Sequence, residues 1–192
     1  MIRIATASAT VLHTGRLLLT PDALHARPPV ARLLNCLQTA GLVGDPLPAA
    51  GDRFHCGDRL FDLIGFTGCA VQLPSTTDTE NGLEVRLEGP FAAPQLRVGR
   101  NSRPPRCPNC QRPLADWRAR AYPNGIDKQP VSAHLRCRNC EAENPAWAWQ
   151  WGRHAGAGSF FVIVEPVFPG EAQPLPSLFE ALKRADVGPW HH

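Results

Sequence analysis

Two short stretches of this chain have the residue types and the spacing to do chemistry. Cys107-Pro108-Asn109-Cys110 and Cys137-Arg138-Asn139-Cys140 are separated by twenty-six residues. Each Cys-x-x-Cys loop aims two thiolates at one point, so a fold that brings the loops together makes a four-sulfur metal site. Four thiolates fill a tetrahedral shell and leave no position for an activated water, so the expected role is structural. Zinc, redox-inert and suited to tetrahedral sulfur, is the first expectation, with iron as the alternative. Two disulfides are the competing use of the same residues, but nothing at the N-terminus marks secretion and cytosolic thiols stay reduced. Cys36, Cys56 and Cys69 bring the total to seven, an odd number that also argues against a disulfide framework. His134 is a spare donor beside four sufficient ones.

Outside these loops the most enzyme-like residues are His55, Cys56, Asp58 and Cys69. Imidazole can stabilise a thiolate, but neighbours on an extended chain point to opposite faces, so His55 cannot serve Cys56 locally. His13, His25 or His154 would have to approach from elsewhere. Core packing is the simpler role for Cys56 and Cys69. Asp52, Asp58, Asp62 and Glu165 show no spacing that singles out a general acid and base.

The paired loops resemble the knuckles of zinc ribbons and rubredoxin-like modules, in which each Cys-x-x-Cys tips a hairpin and the hairpins face one another across the ion. The resemblance covers residues 103–151 and speaks for metal, not for a particular function. Such knuckles often carry Gly after the second Cys, where this chain has Gln111 and Glu141. Gly takes a positive φ without steric cost and these two do so less readily, a departure that favours zinc over a tuned iron site. The overall layout is also similar to that of a bacterial family bearing the same knuckles, a resemblance that implies no activity.

Charge is distributed unevenly. Residues 97–138 hold ten Lys and Arg against two Asp, a net of +8 in a chain of +3, so the remainder carries −5. That asymmetry points to a basic surface for an acidic partner or to pairing within the molecule. A metal-ordered ribbon is expected to present Arg112, Arg118, Arg120, Trp117 and Tyr122, because Arg and aromatic residues anchor protein interfaces and also suit phosphates and unstacked bases. A protein partner is the first expectation and RNA or DNA the second. Trp147, Trp149 and Trp151, at period two, read as one strand face that clamps the ribbon to the body or stacks bases. No apolar run approaches the eighteen residues of a membrane span, and the chain reads as cytoplasmic.

The elements that position these residues follow from periodicity. Val30, Leu33, Leu34 and Leu37 fall at helical spacing before Gly41 and predict a helix over 29–40. Residues 58–66 suit a short helix between extended pieces, and 83–88 alternate as a half-buried strand. Residues 95–98 read as the other arm of its hairpin. Thr20-Pro21 reads as a helix start, 152–159 as a glycine-rich bend, and 160–164 as a buried central strand that Pro166 ends or displaces to an edge. Ser177 and Glu180 have capping-box spacing at a last helix. Together these predict an α+β fold: a small mixed or antiparallel sheet with two or three helices. Its body spans 1–102 and 152–192, with the ribbon inserted at 103–151.

Overall fold

The computed structural model describes residues 15–48, 51–67, 82–99, 102–122, 134–152, 155–167, 170–185 and 188–192. In chain order its first half forms β1 (Gly15–Pro21), α1 (Val30–Ala40), β2 (Val43–Pro46), β3 (Arg53–Cys56), α2 (Leu60–Leu63), β4 (Ile64–Phe66), β5 (Glu84–Glu88) and β6 (Gln95–Val98). There follow α3 (Trp117–Ala121), β7 (His134–Arg136), β8 (Glu143–Pro145), a 3-10 turn (Ala146–Ala148), β9 (Ala155–Gly158), β10 (Phe161–Val167), β11 (Ala172–Pro174), α4 (Pro176–Lys183) and β12 (Trp190–His191). The architecture is the expected α+β class.

A six-stranded sheet in the order β12-β1-β10-β5-β3-β2 forms the body, and its pairs run antiparallel. Alternation sorts its side chains. Leu17, Leu19, Phe54, Val85, Leu87, Val162 and Val164 join a buried core with Leu33 and Leu37 of α1 and Leu178 and Leu182 of α4. The leucine stripe therefore does in α1 what its spacing implies. Gly41 closes that helix at φ 80°, and the Leu42 amide donates to the Leu37 carbonyl at 3.0 Å, the bond pattern of a left-handed helix stop.

Several expectations are corrected by the pairing. Thr20 and Pro21 end a strand, and the Thr20 hydroxyl donates to the Phe160 carbonyl at 2.9 Å. The strand at 95–98 does not return beside β5: β5 lies between β10 and β3, and β6 pairs with β9. Pro166 neither ends β10 nor moves it to an edge, because two residues, Glu165 and Pro166, oppose Arg16 alone in a bulge that tolerates the missing donor. Only one turn of helix, α2, forms within 58–66. Ser177 lies inside α4, after Pro176 at its first position, and its hydroxyl donates to the Asp62 carbonyl at 2.5 Å in place of capping.

The glycine-rich segment is a strand, and its alternation explains the composition. Ala155 and Ala157 pack against a second buried cluster, while Gly156 and Gly158 face the body sheet. A Cβ on Gly158 would stand 2.1 Å from Thr20 Oγ1, whereas one on Gly156 would meet nothing nearer than Phe161 at 4.0 Å. Gly158→Ala is therefore expected to destabilise the protein by about 1–3 kcal/mol, since Thr20 must abandon Phe160 or the sheets must separate. Gly156→Ala is expected to be tolerated, and urea titrations of the two variants check the contrast.

Candidate metal centre

The second cluster is the interior of the cysteine-bearing segment: Cys107, Leu114, Trp117, Ala121, Tyr122, Leu135, Cys137, Ala146, Trp149 and Trp151, closed on one side by Leu96 and Val98 of β6. Trp117 meets Trp151 edge-on at 5.0 Å and Tyr122 at 6.2 Å, geometry favoured by the ring quadrupoles. Trp151 Nε1 donates to the Ala146 carbonyl at 2.7 Å and the Tyr122 hydroxyl to the Leu96 carbonyl at 3.1 Å, whereas the buried indole nitrogens of Trp117 and Trp149 find no partner among the described residues. Burial pushes the Tyr122 hydroxyl up to about 12.

Both cysteine loops fold as the same turn. In the first, the Gln111 amide donates to the Cys107 carbonyl at 2.9 Å and the Cys107 amide to Arg112 at 2.9 Å. In the second, Glu141 donates to Cys137 at 3.1 Å and Cys137 to Ala142 at 2.9 Å. Gln111 and Glu141 stand at φ 61° and 60°. The missing glycines thus leave the knuckle geometry intact and add backbone strain, so their absence carries less weight against iron than the sequence suggests. The first hairpin is fixed from behind by a reciprocal pair of 3.0 Å bonds between Arg106 and Gln150. The second is the antiparallel pair of β7 and β8. Asn144 Nδ2 reaches Asn109 Oδ1 at 3.0 Å and links the two hairpins.

The four sulfurs converge. Cys107 Sγ lies 3.7 Å from Cys140, Cys110 Sγ lies 3.6 Å from Cys137, and all four are within 4.8 Å of one another. Four thiolates about 2.3 Å from one tetrahedral ion stand about 3.8 Å apart, close to the 3.7 and 3.6 Å of the two sulfur pairs, so the set is placed to hold one metal ion. Disulfides, with sulfurs about 2.05 Å apart, do not describe it. The amides of Cys140 and Asn139 donate toward Cys137 and bring its thiol down to about 6. At Cys140 the Ala142 amide favours the thiolate, but desolvation and the three neighbouring sulfurs prevail and push it up to about 12. His134 is exposed, its ring 6.5 Å from Trp147, and stands outside the sulfur cluster.

The other sequence-predicted residues are placed as follows. Arg112 is exposed. Arg118 lies over the Trp117 ring at 4.6 Å and donates to the Ser102 carbonyl at 2.9 Å. Arg120 and Arg138 both bind Asp116 Oδ2 at 2.7 Å, and the Arg120 contact in particular holds the Asp116 carboxyl below its usual range. Trp117 and Tyr122 are core residues, which corrects the expectation that they are presented, because the segment must bury aromatic rings to have an interior. The three indoles also do not share a strand face. The 3-10 turn breaks the period, so Trp149 and Trp151 are buried and Trp147 is half-buried.

In the body, His55 pairs in register with Glu84 while Cys56 packs toward the core. Burial, with Glu84 adding to it, pushes the Cys56 thiol up to about 12, so it is protonated at neutral pH and a poor nucleophile. Asp52, Asp58, Asp62 and His25 are exposed, and Glu165 is half-buried. Cys69, His13 and His154 lie outside the described residues.

Arg97 was missed by sequence reasoning. Tallied there with the basic surface, it is buried between the Phe91 and Phe161 rings at 5.2 and 5.1 Å and paired with Glu88 at 2.8 Å. Arg86 joins Glu88 at 2.6 Å to Glu165 at 3.0 Å, and Arg16 follows at 3.6 Å. The signal was a lone charge between Leu96 and Val98, facing away from both.

Compared with protein-family models, with curated proteins and with solved structures, the chain gives no significant match in any of the three. The metal-site assignment therefore rests on the cysteine geometry.

The αL conformation costs a residue with a Cβ roughly 1–2 kcal/mol, a cost that Gln111 and Glu141 already bear, so Gln111→Val and Glu141→Val are each expected to lower stability by the further penalty of a β-branched side chain alone. Glycine at either position is expected to be neutral or stabilising, as thermal melts of the metal-loaded protein will report. Separately, Cys107→Ser or Cys137→Ser is expected to release the ion and to expose residues 103–122 and 134–151 to hydrogen exchange. Unchanged protection there would remove the folding role.

Proposed function

We propose that this chain is a non-catalytic zinc protein whose four-cysteine centre is structural and orders a basic module for docking a macromolecular partner, a protein first and RNA or DNA second. The observation that carries the reading is the convergence of four sulfurs within 4.8 Å on two knuckles of the same geometry. When bound, zinc closes the tetrahedral shell and supplies folding energy, on the order of 10–16 kcal/mol in small fingers near neutral pH. A segment rich in Pro and Arg gains a fixed shape from it. The module extends from β6 to β9, because Leu96, Val98, Ala155 and Ala157 pack with its interior, which widens the sequence-predicted boundaries at 103 and 151. The intracellular setting implied by reduced thiols belongs to the same proposal.

Support for docking over catalysis is chemical. A closed sulfur shell activates no water, and the candidate nucleophile among the described residues of the body, Cys56, is held as a thiol. The iron alternative is separated by colour and composition. Elemental analysis of native protein should give one zinc per chain and a colourless solution. One iron per chain with a red oxidised form would move the reading to electron transfer, and no stoichiometric metal would end it. The same preparation, used as bait, should retain a partner that is lost on chelation.

A further inference from the structure

Charge on the two hairpins is not equivalent. The second is self-neutralised: Arg136 pairs with Glu141 at 3.0 Å, Arg138 shares Asp116 with Arg120, and Glu143 stands exposed on β8. The first carries Arg103, Arg106 and Arg112, all exposed, with no acid from residue 103 to 113. Among the described residues none of these three has a carboxylate partner, and the side chains of Arg103 and Arg112 make no hydrogen bond. Arg106 Nη1 donates to the Gln111 carbonyl at 3.2 Å, which orients its guanidinium over the turn and leaves its charge uncompensated. Arg106 and Arg112 lie on facing arms of the hairpin, joined by the Cys107 to Arg112 bond.

Building on the docking role proposed above, we infer that the first knuckle is its docking face and that Arg103, Arg106 and Arg112 bind a short run of Asp or Glu side chains on a protein partner. Guanidinium forks match carboxylates in pairs, and a guanidinium already held in place loses less freedom on binding. Two of the three cations expected from sequence are committed elsewhere, Arg118 to Trp117 and Ser102 and Arg120 to Asp116. Nucleic acid fits less well. Stacking needs exposed rings, and Trp117, Tyr122, Trp149 and Trp151 are buried. A phosphodiester strand carries a charge about every 3.4 Å and continues past a small patch. The Asn144–Asn109 bond sets the arm bearing Glu143 beside the first knuckle, where such a strand would meet like charge. A short acidic segment ends where the patch ends.

Fluorescence anisotropy on the metal-loaded full chain tests this with a labelled peptide of consecutive glutamates, a glutamine counterpart, and a short single-stranded RNA. The glutamate peptide should bind with salt-sensitive affinity and the glutamine peptide should not. The R103Q/R106Q/R112Q variant should bind at least about tenfold more weakly, and R118Q/R120Q within about twofold of the parent. Metal content monitors folding. If the triple variant loses its ion, R103Q and R112Q alone, which break no hydrogen bond, must each weaken binding. Tighter binding of RNA than of the glutamate peptide, no binding of that peptide, or equal losses in both arginine variants would overturn the inference. Capture of a protein partner undiminished by R103Q/R106Q/R112Q would overturn it and leave the docking role standing, whereas no capture by the parent would remove the docking role as well.

Discussion

Four thiol groups within 4.8 Å of one another cannot all ionise unaided, because each thiolate raises the proton affinity of the next. At Cys140 the neighbouring sulfurs push the thiol up, while at Cys137 the turn amides favour the thiolate, and a metal ion at the shared point would let all four ionise. Much of the second cluster is arranged around this condition. Among the described residues the two hairpins are joined by the sulfur cluster at their tips and by one asparagine pair, and α3 is a single turn preceded by Asp116, which reaches into the second knuckle through Arg138. Trp117 and Trp151 fill the space behind the sulfurs, so the metal side and the aromatic side close one interior.

The seam between that interior and the body is made by β6 and β9, each two-faced. Leu96, Val98, Ala155 and Ala157 supply apolar surface to the cysteine side. On the other face stand Arg97, whose cation rests between Phe91 and Phe161, and two glycines that admit Thr20 and Phe161 of the body. A buried guanidinium is stable only with its charge paired and its faces covered, and Glu88 and the two rings provide both. The ion-pair chain from Arg97 through Glu88, Arg86 and Glu165 to Arg16 then ties the seam to the middle of the six-stranded sheet.

The local chemistry of the chain was legible and its pairing was not. Cys spacing named the metal cluster, and the leucine spacing and Gly41 named α1, because both signals are carried by neighbouring residues. The partner of β6 is about sixty residues away in β9, and a strand of alternating Ala and Gly has no hydrophobic signature, so both were misread. Ser177 and Thr20 follow the same logic, since each has the right type for a cap but finds a tertiary carbonyl instead. Composition also placed Arg97, Trp117 and Tyr122 at the surface. Counting residues reveals how many charges and rings a segment has, but only packing decides which of them become its interior.

The edge-on contact of Trp117 with Trp151, under the Arg118 cation and in the same cluster as Cys107 and Cys137, gives the protein a native optical gauge. Both indoles are buried, so an opening of this interior would admit water to them and move their ultraviolet emission to longer wavelength. Their wavelength therefore reports the condition of the cluster from within, without a dye.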